Sequence, residues 1–304
     1  MNITGLDCLT FSVTDLEGAI RFAADYGLEI SERSSTGAKA SAVDGTHLRI
    51  LCDGDLSLPP AVAASPNIRE ITYGVGDPGT LDLIAAELSK DRHVSTRDGV
   101  VRSIDEDGYP IAFAMSVRRT PLSPHYGINV PGQPPGRLPN SLGLHQDGDD
   151  RPRTLSHVVL FVRDKYRTEA FYRDRLGFRT VDEFTNLGPF MRPAGTLDHH
   201  TNFFVQAPML GIQHFTFHFS GINEVLQRGW DFQRKGYRSE WGPGRHILGS
   251  NFFWYFKSPF GCDMELDADM DLHDDSWVPR RVPVSADRSQ SYLMQYRDKW
   301  FPGG

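Results

Sequence analysis

The stretch LSHVVLFVRDKYRTEAFYRDRLGFRTV, residues 155–181, decides the fold because the chain contains the same pattern twice. Its counterpart is LDCLTFSVTDLEGAIRFAADYGLEI, residues 6–30. In both stretches an apolar strand pattern leads through an aspartate into an amphipathic helix, which ends near a glycine. Aligning the two places Cys8 opposite His157. The chain is therefore predicted to consist of two similar halves.

Each half is predicted to be a pair in turn. REITYGVGDPGTLDLIAAELSKDRHVS, residues 69–95, runs parallel to IQHFTFHFSGINEVLQRGWDFQRKGYRS, residues 212–239, and this alignment places Glu70 opposite His214. All four segments have the pattern of a strand, a helix and then several short strands. We therefore predict an α+β fold of four βαβββ modules in two paired domains.

Proline and glycine divide the chain into domains. The stretch TPLSPHYGINVPGQPPGRLPNSLGLHQDGDDRPR cannot form long regular elements and marks a linker. The predicted units are an N-terminal domain over 1–120, a linker over 121–152, a C-terminal domain over 153–270, and a tail over 271–304. The tail is expected to pack on the body, because it carries Trp277, Tyr292, Tyr296, Trp300 and Phe301.

Composition excludes several classes of protein. The 304 residues are 39% hydrophobic and 23% charged, as in soluble globular proteins, and no apolar stretch is long enough to span a membrane. The net charge of −7 argues against binding to nucleic acid, which requires clustered basic residues. The N-terminus lacks the features of a secretory signal, so a cytoplasmic location is expected. The three cysteines are too few and too scattered for a disulfide framework.

Three residues of the second half have the pattern of a metal site. His157 and His214 occupy the same position in the first strands of two adjacent modules, so pairing of those strands would bring both imidazoles together. Glu265 lies in the last strand of the second of these modules, on the face opposite to Met264. Two histidines and one carboxylate on a sheet form the facial triad of non-haem Fe(II) sites, which leaves coordination positions open.

A different reading of each residue stays open. A lone histidine is more often a hydrogen-bonded core or surface side chain than a metal ligand. A carboxylate in a buried strand, however, is costly unless it is paired or binds a metal. The equivalent positions of the first half are Cys8, Glu70 and Ala112, which do not form a comparable set. A single metal per chain and a metal-free N-terminal domain are therefore expected.

The sequence resembles the vicinal-oxygen-chelate superfamily, which has the glyoxalase-like fold, and within it the two-domain type I extradiol dioxygenases. The stretch GRHILGSNFFWYFKSPFGCDME, residues 244–265, matches the signature of these dioxygenases at His246, Tyr255, Pro259, Gly261 and Glu265. Trp254 and Ser258 depart from its usual residue types. These departures affect the sub-family and the substrate more than the chemistry, since neither position is a ligand.

The resemblance implies a set of roles. His157, His214 and Glu265 would bind Fe(II), and the same triad accepts Mn(II). His200 would be the acid/base beside the O2 site; it is favoured over His199 because the two are expected to point to opposite faces of a strand. His246 would orient the substrate, and Tyr255 would hydrogen-bond a catechol oxygen, although Tyr255 could also be an aromatic of the core. His199, His218 and Phe190 are the tentative substrate-binding residues.

The resemblance also implies the reaction and its partners. The expected function is extradiol cleavage of a substituted catechol by O2 in the breakdown of aromatic compounds, by a homo-oligomer. One alternative is another metal-dependent enzyme of the superfamily, either a glyoxalase-type isomerase, which typically has four protein ligands, or a 2-oxo-acid-dependent dioxygenase. The other is a non-catalytic binding protein, whose relatives in this superfamily lack the metal triad.

Overall fold

The computed structural model describes residues 1–62, 68–121, 127–144, 150–285 and 289–294. In this part of the chain the strands form two sheets. One has eight strands and lies within residues 3–115, and the other has ten and lies within residues 154–293. The predicted α+β class is confirmed. No helix in the described part of the chain combines the length and the hydrophobicity needed to cross a bilayer.

The first sheet contains two βαβββ modules side by side. Its strands are β1 (Ile3–Val13), β2 (Glu29–Ser31), β3 (Gly37–Ser41), β4 (His47–Cys52), β5 (Ile68–Val75), β6 (Ser95–Arg97), β7 (Val100–Ile104) and β8 (Pro110–Met115). Helix α1 (Leu16–Tyr26) follows β1, and helix α2 (Pro78–Leu88) follows β5. The strand order is β2-β3-β4-β1-β5-β8-β7-β6, so the first strands of the two modules pair at the centre.

The second sheet repeats this plan and adds two strands from the C-terminal segment. Its strands are β9 (Thr154–Val162), β10 (Phe178–Phe184), β11 (Gly188–Pro193), β12 (Asn202–Gln206), β13 (Gly211–His218), β14 (Ser239–His246), β15 (Phe252–Lys257), β16 (Asp263–Ala268), β17 (Arg280–Val282) and β18 (Gln290–Leu293). The order is β17-β10-β11-β12-β9-β13-β16-β15-β14-β18. The predicted four βαβββ modules are therefore present.

The helices of the second sheet begin and end at residues that the repeat singled out. Helix α3 (Lys165–Ala170) begins after Asp164, whose carboxylate caps two backbone N–H groups. It continues as a π-helical turn over Phe171–Arg175, which the apolar pattern did not predict. Gly177 follows with a φ of 75°, a left-handed conformation that favours glycine. Helix α4 (Ile222–Arg234) follows β13.

The two faces of the second sheet have different roles because side chains alternate along a strand. Val158, Leu160, Phe215 and Met264 point to one face and join a single core with the first half of the chain. His157, Val159 and Phe161 are out of phase with them; Val159 and Phe161 belong to a separate small cluster on the other face. That other face carries the candidate site.

Tyrosine hydroxyls from the first half are bonded to the second sheet. Tyr26 donates to the carbonyl of Glu265 at 2.5 Å, and Asn202 donates to the Tyr73 hydroxyl at 2.8 Å. Tyr109 donates to the carbonyl of Phe161 at 2.6 Å and accepts from a backbone N–H of β13 at 2.6 Å. Every partner in the second half lies in a strand of the site-bearing sheet, so the first half braces that sheet.

The domain bounds remain a prediction. The structure describes the secondary structure in parts of the predicted linker and tail. Between β8 and β9, residues 116–153 carry no helix or strand in the portions described. In the tail, β17 pairs with β10 and β18 pairs with β14, while the Trp277 indole donates to the Val181 carbonyl at 3.0 Å. Tyr296, Trp300 and Phe301 lie outside the described residues.

Candidate active site

The pairing of three strands brings the predicted metal ligands together. His157 on β9 lies opposite Thr216 on β13, and Thr216 lies opposite Glu265 on β16. His214 is two residues from Thr216 and therefore on the same face. The three side chains thus meet at the centre of the second sheet. They are all buried, with exposed fractions of 3% or less.

The same register relates these positions to the first half. Cys8 lies opposite Thr72, and Thr72 lies opposite Ala112. Glu70 is two residues from Thr72, as His214 is from Thr216. The equivalence inferred from the repeat is therefore confirmed. Glu70 accepts a charged hydrogen bond from Arg102 at 2.9 Å, so this position forms an ion pair in the first half.

The distances among the three donor groups fit one divalent cation. The Nε2 atoms of His157 and His214 are 3.2 Å apart, and they lie 3.1 and 3.4 Å from Oε2 of Glu265. A metal–ligand bond of about 2.1 Å implies about 3.0 Å between neighbouring ligands of an octahedron. Three atoms at nearly equal mutual distances form one face of such an octahedron. The remaining positions would then be open.

The Glu265 carboxylate gives a second reason to expect a cation. Both of its oxygens are buried and neither accepts a hydrogen bond from a described residue. A buried carboxylate that accepts no hydrogen bond is strongly unfavourable unless a cation lies beside it. Its neighbours are the two imidazole nitrogens that also make good metal ligands. The donor set of His157, His214 and Glu265 therefore fits a metal ion.

Ser156, His218 and Asp267 form a chain of hydrogen bonds that ends at His157 Nδ1. The Ser156 hydroxyl lies 3.1 Å from His157 Nδ1 and 2.9 Å from His218 Nε2, and His218 Nδ1 lies 2.7 Å from the Asp267 carboxylate. Burial lowers the pKa of His218, but Asp267 outweighs burial and raises it to about 9. His218 does not line the cavity described below. Its tentative assignment to substrate binding is not supported, because four residues along a strand place it about 13 Å beyond His214.

A cavity opens at His157 and His214, two of the three donor residues. We call its polar lining residues the polar wall and its apolar lining residues the apolar wall. The polar lining residues are His157, His200, His214, His246, Asn251, Tyr255 and Ser289, and the apolar ones are Val159, Phe184, Phe190, Phe203 and Leu248.

His246 and Tyr255 lie side by side at the polar wall. The His246 Nε2 is 3.2 Å from the Tyr255 hydroxyl and 3.7 Å from Oε1 of Glu265. Tyr255 lies directly opposite Glu265 in the β15–β16 pair, and its ring meets the His214 ring edge to face at 4.9 Å. Both predicted residues are therefore beside the three donors and in the cavity.

His200 also lines the cavity, with its ring 4.2 Å from that of His157. Burial, followed by the neighbouring His157, holds the pKa of His200 well below its ordinary value. His199 is fully buried behind it and does not line the cavity. The expectation that the two point to opposite faces of a strand was wrong, because β12 begins only at Asn202. Their Nδ1 atoms are 2.9 Å apart.

The apolar wall includes Phe190, the tentative substrate-binding residue of the sequence analysis. Phe190 stacks on Phe203 with ring centroids 3.9 Å apart and meets the edge of the His200 ring at 5.0 Å. Phe203 and Phe184 were not predicted. Phe203 could have been found, because it pairs with Val159 on β9 and alternation gives both residues the face of His157.

Known proteins match both the sequence and the fold. The family model of the Glyoxalase/Bleomycin resistance protein/Dioxygenase superfamily matches residues 154–266. The chain is similar to Metapyrocatechase 2 of Cupriavidus necator, with 39% identity over 120 residues, which are 40% of this chain and 38% of that protein. It is also similar to the iron-dependent extradiol dioxygenase of Rhodococcus jostii, with 31% identity over 144 residues, which are 41% of this chain and 47% of that protein.

The fold matches solved structures over its whole length. The crystal structure of the Mn(II)-bound glyoxalase from Novosphingobium aromaticivorans aligns with a TM-score of 0.78 and 19% identity, and the match covers 100% of this chain and 95% of the other. At this identity the likeness concerns the fold alone. The sequence matches span less than half of the length of the two curated relatives.

Proposed function

We propose that the chain is an extradiol ring-cleaving dioxygenase, and the premise is the match of residues 154–266 to the family model of the Glyoxalase/Bleomycin resistance protein/Dioxygenase superfamily. Its substrate is a substituted catechol, and both atoms of O2 enter the ring-opened product. The observation that carries the proposal is the cluster of three donors that fits a metal ion, two of which line a cavity together with His200, His246 and Tyr255.

We propose that the ligands are His157, His214 and Glu265 and that the metal is Fe(II), with Mn(II) as the alternative. When bound there, Fe(II) supplies a Lewis acid for the two hydroxyl oxygens of a catechol and a redox-active centre that allows a spin-paired substrate to react with O2. The Rhodococcus relative is named as iron-dependent, and the Novosphingobium structure contains Mn(II). The donor cluster found among the described residues has three members, whereas a glyoxalase-type isomerase typically uses four.

The polar residues of the cavity hydrogen-bond and deprotonate the hydroxyl groups of the substrate. Tyr255 and His246 form a pair beside the Glu265 carboxylate, where they can hydrogen-bond one catechol oxygen and fix the orientation of the ring. His200, on the other side of His157, is placed to accept a hydroxyl proton: the O–H bond breaks and an N–H bond forms on the imidazole. Its lowered pKa keeps it neutral, and therefore able to accept, at neutral pH.

The apolar wall determines which catechols fit. Phe184, Phe190 and Phe203 face the cavity together with Val159 and Leu248. Burying apolar groups of a ligand against such a wall is favourable by about 25 cal/mol per Å². The wall therefore favours an alkyl or aryl substituent on the ring.

The test is reconstitution with Fe(II) under anaerobic conditions, followed by oxygen uptake and the appearance of a yellow ring-fission product with a panel of catechols. Wild type is compared with His214→Ala and with His93→Ala, whose exposed histidine lies in the first half of the chain. We expect uptake and colour in wild type and His93→Ala and their loss in His214→Ala. Metal binding without oxygen uptake on any catechol would refute the proposal.

A further inference from the structure

Three buried side chains form a connected row that ends at the cavity wall. Asp182 on β10 is at the far end, His199 is in the middle and His200 is at the cavity. Asp182 and His199 have no exposed surface and neither lines the cavity. Contact with the substrate therefore does not explain them.

The carboxylate of Asp182 acts only as a hydrogen-bond acceptor. It accepts from His199 Nε2 at 2.7 Å, from the Arg280 backbone N–H at 2.8 Å and from two guanidinium nitrogens of Arg280. Burial raises the pKa of Asp182, but the hydrogen bonds from His199 and Arg280 outweigh burial and hold it at about 2. Since an ionised carboxylate has no hydrogen to donate, the proton of this bond belongs to His199 Nε2.

The proton on His199 Nε2 determines which histidine donates in the hydrogen bond between His199 and His200. Burial lowers the pKa of His199, so the ring is neutral at pH 7 and carries one N–H. With Nε2 protonated, its Nδ1 has a lone pair. This atom lies 2.9 Å from Nδ1 of His200, a distance at which two lone pairs would repel. His200 Nδ1 is therefore the donor of this bond.

We propose that Asp182 and His199 are positioning residues that hold His200 as its Nδ1–H tautomer. In this tautomer Nε2, on the far side of the ring, carries the lone pair and is the nitrogen left for the cavity. The inference rests on the proposed function, in which His200 accepts a substrate proton. Without an acceptor at Nδ1, a neutral imidazole would populate both tautomers, and in the Nε2–H tautomer the nitrogen facing the cavity could not accept a proton.

The C-terminal segment secures this row of side chains. Arg280 begins β17, which pairs with β10, and the backbone N–H of His199 donates to the Asp271 carbonyl at 2.9 Å. Both contacts come from residues after the last strand of the fourth module. The segment beyond β16 therefore helps to set the tautomer of His200.

The direct test is the protonation state of each ring nitrogen of His200 in long-range ¹H–¹⁵N spectra of histidine-labelled protein. Spectra are recorded without metal and with diamagnetic Zn(II), and His200 is assigned by the signals lost in His200→Gln. We expect wild type to carry the proton on Nδ1 and not on Nε2. The wild-type spectrum alone can overturn the inference, so the test does not depend on a variant that folds.

The variants remove or keep the acceptor next to His200. His199→Leu removes it, and we expect His200 to become a mixture of tautomers. His199→Asn keeps an oxygen close to the former Nδ1 and should restore part of the Nδ1–H population. Glu183→Gln is the matched control, because Glu183 is the neighbouring buried carboxylate of β10 and binds Lys165 at 3.0 Å instead.

Kinetics of the Fe(II)-loaded enzyme complete the test. We expect kcat to fall at least about tenfold in His199→Leu with KM changed less than about twofold, since the substrate contacts remain. His199→Asn should recover part of kcat, and Glu183→Gln should resemble wild type. A purely structural role would not produce this separation of kcat from KM together with a change of tautomer.

The outcomes separate this inference from the proposed function. Oxygen uptake by a wild type in which His200 Nε2 is protonated refutes the inference and leaves the function in place. The expected spectra without oxygen uptake on any catechol refute the function and leave the tautomer assignment in place. An unchanged His200 tautomer in His199→Leu also refutes the inference.

Discussion

Metal binding should stabilise the chain by an amount that can be calculated in advance. The ligand atoms of His157, His214 and Glu265 are already 3.1 to 3.4 Å apart, so binding requires little rearrangement. A ligand that binds only the folded state at 100 times its Kd stabilises it by about 2.7 kcal/mol. The entropy of unfolding, about 2.1 cal/mol/K per residue, is about 0.64 kcal/mol/K for 304 residues. The expected increase in Tm is therefore about 4 °C.

The perturbation is Glu265→Gln, which removes the charge of the carboxylate and keeps its shape. If Kd rises tenfold at the same metal concentration, the stabilisation falls to about 1.4 kcal/mol and the Tm increase to about 2 °C. A thousandfold rise abolishes it. Glu70→Gln is the matched control, since Glu70 is a buried carboxylate at the position equivalent to His214 and pairs with Arg102.

The assay is thermal unfolding under anaerobic conditions, with Fe(II) or Mn(II) and then with excess chelator. Wild type and Glu70→Gln should gain about 4 °C and lose it again with chelator, whereas Glu265→Gln should gain about 2 °C or less. Two results would show that the reasoning is wrong. One is a wild type without any gain at millimolar metal, and the other is a full gain in Glu265→Gln.

Three further predictions concern stability, packing and specificity. Burial raises the pKa of Asp105 to about 7, so its contribution to stability is complete below about pH 4 and is lost as the pH rises to about 7. Asp105→Asn, which stays neutral beside the Tyr172 hydroxyl, should equal wild type at pH 4 and exceed it at pH 8 by up to about 4 kcal/mol in urea unfolding; parallel pH profiles would contradict this. Tyr109→Phe leaves the backbone N–H of Gly211 without its hydroxyl partner and should cost about 1–3 kcal/mol in the same measurement, and a cost near zero would refute the bracing role. Phe190→Ala should change the ratio of kcat/KM for a bulky over an unsubstituted catechol by about tenfold or more, measured by oxygen uptake, and an unchanged ratio would remove Phe190 from the wall.

Much of the site could be predicted from the sequence because the chain repeats itself. Two histidines at the same place in adjacent modules must meet when the first strands of those modules pair, as β9 and β13 do. Glu265 was identifiable because a carboxylate between apolar residues in a buried strand needs a partner. These inferences depend only on alternation and on strand pairing, which the repeat makes visible.

The support behind the site could not be predicted in the same way. Asp182 and His199 lie in different parts of the third module, on β10 and in the segment before β12. Their contact depends on the irregular backbone of that segment and on the pairing of β10 with β17. Neither feature produces a periodic pattern of residues in the sequence. The strand prediction for His199 failed for the same reason. The cytoplasmic location, the homo-oligomeric state and the domain bounds stay predictions of the sequence.

The tyrosine hydroxyls that cross from the first half to the second have a genetic consequence. Tyr26 holds the backbone of Glu265, and Tyr73 and Tyr109 hold neighbouring strands of the same sheet, although the donor cluster found among the described residues includes no residue of their own half. A screen for inactive mutants should therefore recover substitutions in both halves. Those in the first half would weaken metal retention without removing a ligand, and raising the metal supply in the growth medium would suppress them.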